Sequence, residues 1–184
     1  MKPKRSLLAA VLAATALVAA AVPLKTDVAH SSVSAVFKQM DVPVESPFKR
    51  FTAQIDYDAA HPDKATARVD IDTASMDIGT PEYNKEIAKK EWFNSAQFPK
   101  ATFVSTAIKL AGAGKLSVSG KLTIKGRTQD VSFPLSVKAQ GNQQVFEGQL
   151  PIKRLAFNIG EGEWKDTSMV ADEVVIKFRV AAGQ

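Results

Sequence analysis

Apolar and polar residues alternate with a period of two along most of this chain, and that pattern constrains its fold more than any other feature. From Lys115 to Lys125, the residues Leu116, Val118, Gly120, Leu122 and Ile124 interleave with Lys, Ser and Thr. Such a period places one set of side chains on each face of a β-strand, one face buried and the other wet. The same rhythm runs through Val33, Ala35 and Phe37, through Phe51, Ala53, Ile55 and Tyr57, and through Ala65, Ala67, Val69 and Ile71. It returns at Val131 to Val137, at Phe146 to Ile152 and at Val174 to Val180. Ala101 to Ile108 is strand-like with both faces partly apolar, which brings the expected number of strands to eight.

Turn chemistry separates the strands. Pro62-Asp63, Gly112-Ala113-Gly114, Gly126-Arg127 and Gly141-Asn142 fall between alternating runs. Short connections favour a meander, and eight strands with one polar face predict an all-β, eight-stranded antiparallel up-and-down barrel. Pro134 interrupts the sixth run and predicts a bulge or irregular pairing there. One segment reads as helix, Pro81 to Glu91, with Thr80 as N-cap and Pro81 at the first helical position. It is a short insertion after the third strand.

The first residues are an address. Lys2, Lys4 and Arg5 precede the apolar run Leu7 to Ala20, and Ala19-Ala20-Ala21 fits a small-residue cleavage site. This pattern predicts a cleaved signal peptide over residues 1–21, a barrel domain over residues 22–184 and a periplasmic destination. Of the 24 basic and 19 acidic residues, three basic and no acidic ones fall in the first 21 positions, so the mature excess is only two. No basic stripe interleaved with aromatics is present, which argues against nucleic acid as a partner. The chain has no cysteine, which excludes thiol catalysis and cysteine-ligated metals.

The expected inward face includes Ala35, Ala53, Ala65, Ala67, Gly120 and Gly148. Small residues there leave room for a ligand, although interdigitation with larger neighbours would give a solid core. No charged residue is expected on that face.

Several segments together identify the chain as similar to the YceI-like family: DVAHSSVSAVFKQM, PFKRFTAQIDYD, EWFNSAQFPKATFVST, GKLTIKGRTQDVSFPL, RLAFNIGEGEW and VADEVVIKFRV. The resemblance implies an exported, lipocalin-like barrel with an apolar tunnel for a polyisoprenoid or another long amphiphile. It also implies a hydrophobic small-molecule partner such as a polyprenol or isoprenoid quinone, and a second reading as accessory to a membrane b-type cytochrome. Ser46-Pro47 stands where many relatives carry glycine, a departure expected to reshape the mouth.

Within that frame Trp92, Phe93 and Phe98 are expected to cap the barrel, and Phe103 to enter the next strand. Phe37, Phe51, Ala53 and Ile55 from the first two strands are candidate ligand contacts. So are Phe133, Phe146 and Phe178 from the last three. His30 is a candidate headgroup contact. Binding by burial needs no cofactor and no catalytic residue, so the chain reads as a binder and not an enzyme. An enzyme acting on a lipid in the tunnel is a lesser alternative, which would require an inward-facing acid, base or metal ligand that the strands do not offer. A homodimer is compatible with the sequence.

Other constellations read as structural. Glu161 and Glu163 in GEGEW lie in a loop that gives no control over carboxylate separation, and a solvated rim loop is expected. Alternation puts Asp70 and Asp72 on the outer face, not in a calcium loop. His30 and His61 sit on separate segments and do not suggest shared metal ligation.

Overall fold

The alternating runs pair with one another in chain order. The computed structural model describes residues 22–184, and the expected signal peptide lies outside the described residues. Nine strands occur among the described residues: β1 (Val22–Gln39), β2 (Val42–Pro47), β3 (Phe51–Tyr57), β4 (Thr66–Asp72), β5 (Lys100–Gly112), β6 (Lys115–Ile124), β7 (Arg127–Gln140), β8 (Gln143–Lys153) and β9 (Val170–Gly183). From β3 to β9 each pairs antiparallel with the next; β1 pairs with both β3 and β9 and closes the ring. Eight strands make that closed barrel, and closure leaves few free edges.

The ninth strand, β2, lies outside the ring and was not foreseen. It folds back on β1 as a hairpin, with Ser34 opposite Pro47 and Gln39 opposite Val42. Its prolines, Pro43 and Pro47, suit an edge strand, where a missing N–H costs little. The connecting turn uses Met40 and Asp41, both at positive φ (49° and 63°). Tight hairpins usually place Asn-Gly or Asp-Gly there, so no turn signal marked this one.

Two further expectations hold only in part. Ser117 pairs with Pro134 without a register break, so β6 and β7 carry no bulge there; the irregular pairing falls on the other side, where the β7–β8 ladder stops at the neighbouring Leu135–Gly148 pair. The helix, α1 (Pro81–Ile87), is shorter than expected. Its start is as foreseen, with the Thr80 hydroxyl accepting the Tyr83 N–H at 3.3 Å. Past Ala88 the chain coils into tight turns, with the Phe93 N–H donating to Ile87 O and the Asn94 N–H to Lys89 O. Asn94 adopts φ 50°. These turns bury two consecutive rings, Trp92 and Phe93. A continued helix would have pointed consecutive side chains about 100° apart.

Candidate functional site

The barrel is hollow. Its interior cavity has a volume of about 580 Å³ and is lined almost wholly by apolar side chains. Val69, Ile71, Phe103, Ile176 and Phe178 line it and yet are only half-buried, because their inner surfaces face the void. This decides between the solid and the hollow interior. Not every small inward residue serves the void, however. A Cβ on Gly120 would lie 2.5 Å from both the Phe103 ring and Val104 O, and one on Gly148 would lie 2.5 Å from the Phe178 ring. Those glycines let aromatic rings lie flat on the wall, a known use of glycine in strands.

Rings divide the interior into levels. At the end where β1 begins, Tyr57 and Phe146 meet edge to face with centroids 5.3 Å apart. At mid-height Phe133 lies 5.5 Å from both Phe103 and Phe178. At the α1 end Trp92 lies 5.2 Å from Trp164, and Phe48 lies 6.1 Å from Phe93. Burial, followed by the nearby Asp58 charge, raises the Tyr57 hydroxyl pKa above its ordinary value.

Of the twelve candidates, the cavity is lined by Phe37, Ile55, Trp92 and Phe93, and further along by Phe103, Phe133, Phe146 and Phe178. The other four are not brought to it. Phe51 and Ala53 are buried in the wall without reaching the void. Phe98 packs beside the Gly126 turn, outside the lining. His30 projects outward where β1 shifts register against β9, with its side chain 72% exposed and Nδ1 2.8 Å from Asp27 Oδ2. The pair is tied to β8 by the Gln143 amide, which donates to Asp27 Oδ2 at 3.0 Å, and neither His30 nor Asp27 lines the cavity.

The expectation of an uncharged interior is corrected at the α1 end. Glu82 and Glu86 border the mouth from α1, and Arg154 lines the cavity although its residue is only 2% exposed. Arg154 opens a 3-10 turn, Arg154–Phe157, directly after β8, where alternation no longer tells inside from outside. Its Nε donates to Ala171 O (3.0 Å), Nη1 to Ile159 O (2.8 Å) and Gly160 O (3.5 Å), and Nη2 to Trp164 O (2.7 Å) and Val170 O (2.7 Å). All five donors are thus engaged by backbone carbonyls. Burial lowers its pKa, and the Asp172 charge partly restores it. The guanidinium also sits 5.8 Å from the Trp92 ring centroid.

GEGEW is a rim loop as expected, with Gly162 and Glu163 exposed, but its first residue, Gly160, is held inside by the same cation. Ile159 and Gly160 are buried, and Lys125 Nζ bonds Glu161 Oε2 at 2.8 Å and Asn158 O at 2.8 Å. That bond holds the Glu161 carboxyl below its usual pKa. Gly160, at φ 83°, has no room for a side chain, since a Cβ would collide with Arg154 Nη1. Asp70 and Asp72 lie outside as expected, on Arg68 (2.9 Å) and Arg50 (2.9 Å). Ser46-Pro47 forms the end of β2, and the Asp77 N–H donates to Pro47 O at 2.9 Å.

The YceI-like domain model matches residues 24–182, which reaches into every strand of the closed ring. The chain belongs to the YceI-like family. This YceI-like barrel is 34% identical over 154 residues to a UPF0312 protein of Shewanella sp. (strain W3-18-1), covering 80% of this chain and 77% of that one. Among solved structures it is similar to Burkholderia cenocepacia BcnA, with 53% identity and a TM-score of 0.83 over 85% of this chain and 99% of that one. It also shares its fold with a polyisoprenoid-binding domain from Saccharophagus degradans, at 17% identity and a TM-score of 0.70, over 89% and 98% of the two chains.

Proposed function

We propose that the chain is a periplasmic binding and carrier protein for one long isoprenoid-tailed lipid, a polyprenol or a quinone, held in the barrel interior. The observation that carries this reading is the cavity of about 580 Å³ with its apolar lining. That volume falls within the roughly 300–1,000 Å³ of typical small-molecule sites. The polyisoprenoid-binding description of the Saccharophagus degradans neighbour supports the ligand class. The signal-peptide pattern of residues 1–21 supports export.

Apolar burial is the main source of binding free energy. Covering about 500 Å² of apolar ligand surface contributes roughly 12 kcal/mol at ~25 cal/mol/Å². Association and chain ordering offset roughly 4–15 kcal/mol of it; at the lower end about 8 kcal/mol remains, a micromolar affinity with no charged contact. Arg154 is not available to an acidic headgroup, because its donors are already engaged. Glu82 and Glu86 at the mouth disfavour an anionic one further. A neutral hydroxyl or quinone head fits that electrostatic frame best.

Native mass spectrometry of protein purified from its own periplasm tests the proposal. A co-purifying hydrophobic mass released by organic solvent is expected. Protein that is lipid-free, and stays so after incubation with polyprenols and quinones, counts against it.

A further inference from the structure

Large exposed apolar side chains are unevenly placed. Of seven among the described residues, Met40 (66%), Val42 (62%), Tyr83 (61%) and Met169 (45%) gather at the α1 end. Met40 sits at the tip of the β1–β2 hairpin, and its N–H donates to Met169 O at 2.9 Å. Val42 pairs with Gln39, and Gln39 pairs with Val170 of β9. Gln39, Val170 and Tyr83 themselves line the cavity. Of the four exposed residues in that lining, Gln39, Glu82 and Tyr83 are at this end, and Thr66 of β4 is the fourth. The exposed apolar side chains therefore rim the place where the void reaches solvent.

The geometry points to this rim as a bilayer-contacting surface, through which a lipid passes between membrane and cavity. The inference rests on the binding role proposed above. Continuity carries it: a tail entering here leaves one apolar medium and meets the next without crossing water. Size separates a bilayer from a protein partner. A stable protein interface needs roughly 800 Å² per partner, more than four side chains on a hairpin tip, a loop and a short helix present. Shallow insertion at the headgroup boundary needs only a few apolar side chains. The residue types agree, since methionine is unbranched and adaptable and tyrosine settles at membrane interfaces. Exposed Lys38, Asp41, Glu82 and Lys85 mix both signs at this end, so docking does not depend on anionic lipid.

The absence of cysteine makes the test clean, because Met40→Cys, Met169→Cys and Leu110→Cys each create a single labelling site. Leu110 is 64% exposed at the opposite end of the barrel and serves as control. With an environment-sensitive fluorophore and phosphatidylcholine vesicles, labels at 40 and 169 should shift to the blue and be quenched by a lipid-borne quencher. The label at 110 should not respond. Met40→Glu with Val42→Glu should slow quinone transfer from vesicles at least about tenfold while leaving equilibrium quinone binding unchanged. A water-like label at 40 in the presence of vesicles would overturn the inference. So would an equal response at 110, burial of label 40 by self-association, or a transfer rate indifferent to vesicle concentration. Rim insertion without saturable quinone binding would instead remove the carrier role and leave the bilayer contact standing.

Discussion

Arg154 brings five N–H donors into the barrel end, and each finds a backbone carbonyl among Ile159, Gly160, Trp164, Val170 and Ala171. A lysine offers three donors in a different geometry and would leave several of these acceptors unsatisfied. Arg154→Lys should therefore destabilise the fold by about 3 kcal/mol or more, read as a lower urea midpoint. Gly160→Ala should act through the same contact, since its methyl displaces the guanidinium. A second residue-scale effect is pH-dependent. Hydrogen bonds from Lys49, then Asn84 and the Gly79 N–H, lower the Asp77 pKa to about 2. Gln143, followed by His30, lowers the Asp27 pKa to about 2. Both values lie below the unfolded value of about 3.9, so the stability they contribute is present above about pH 4 and is lost as pH falls through about 2. Asp77→Asn should flatten the decline of the urea midpoint across that window. An unchanged slope would show that the Lys49 pairing does not contribute.

The element scale separates what the sequence displayed from what it concealed. Most ring strands were legible because they carry a period of two, as in β6 with its buried Leu116, Val118, Leu122 and Ile124; β5, partly apolar on both faces, was legible by its strand-like composition alone. β2 was concealed because six residues with two prolines make a poor pattern and Met40-Asp41 is a poor turn signal. The helix start was visible in Thr80-Pro81, and its end was not, because the burial of Trp92 and Phe93 is a tertiary demand that overrides local propensity. Gly120 and Gly148 were legible as inward and small, but their role was misread as making space. Phe103 and Phe178 occupy the room they leave. Gly120→Ala should cost about 1–3 kcal/mol by overpacking, since backbone and ring both block the new methyl. A thermal midpoint equal to wild type would show that the wall relaxes freely.

At the scale of the whole molecule, a closed ring of eight strands holds an apolar void, with aromatic pairs at both ends and exposed apolar side chains rimming the α1 end. Eight of the twelve candidate residues line the cavity: Phe37, Ile55, Phe103, Phe133, Phe146 and Phe178 were legible through inward alternation, and Trp92 and Phe93 only through the aromatic cluster after α1. His30 was misplaced because a register shift on β1 turns it outward, and Arg154 was missed because it follows the last alternating residue of β8. Ala67 faces the void and is only half-buried, so Ala67→Phe should fill space without straining the wall. Ligand affinity should fall at least about tenfold while the urea midpoint stays within about 1 kcal/mol of wild type. The chain's two tryptophans, Trp92 and Trp164, both line the cavity and give a direct readout of its contents. Titrating the purified protein with a long-chain isoprenoid quinone while following tryptophan emission should give saturable quenching at one quinone per chain, weakened by Ala67→Phe. Linear, non-saturating quenching, identical in wild type and Ala67→Phe, would contradict a lipid-holding interior.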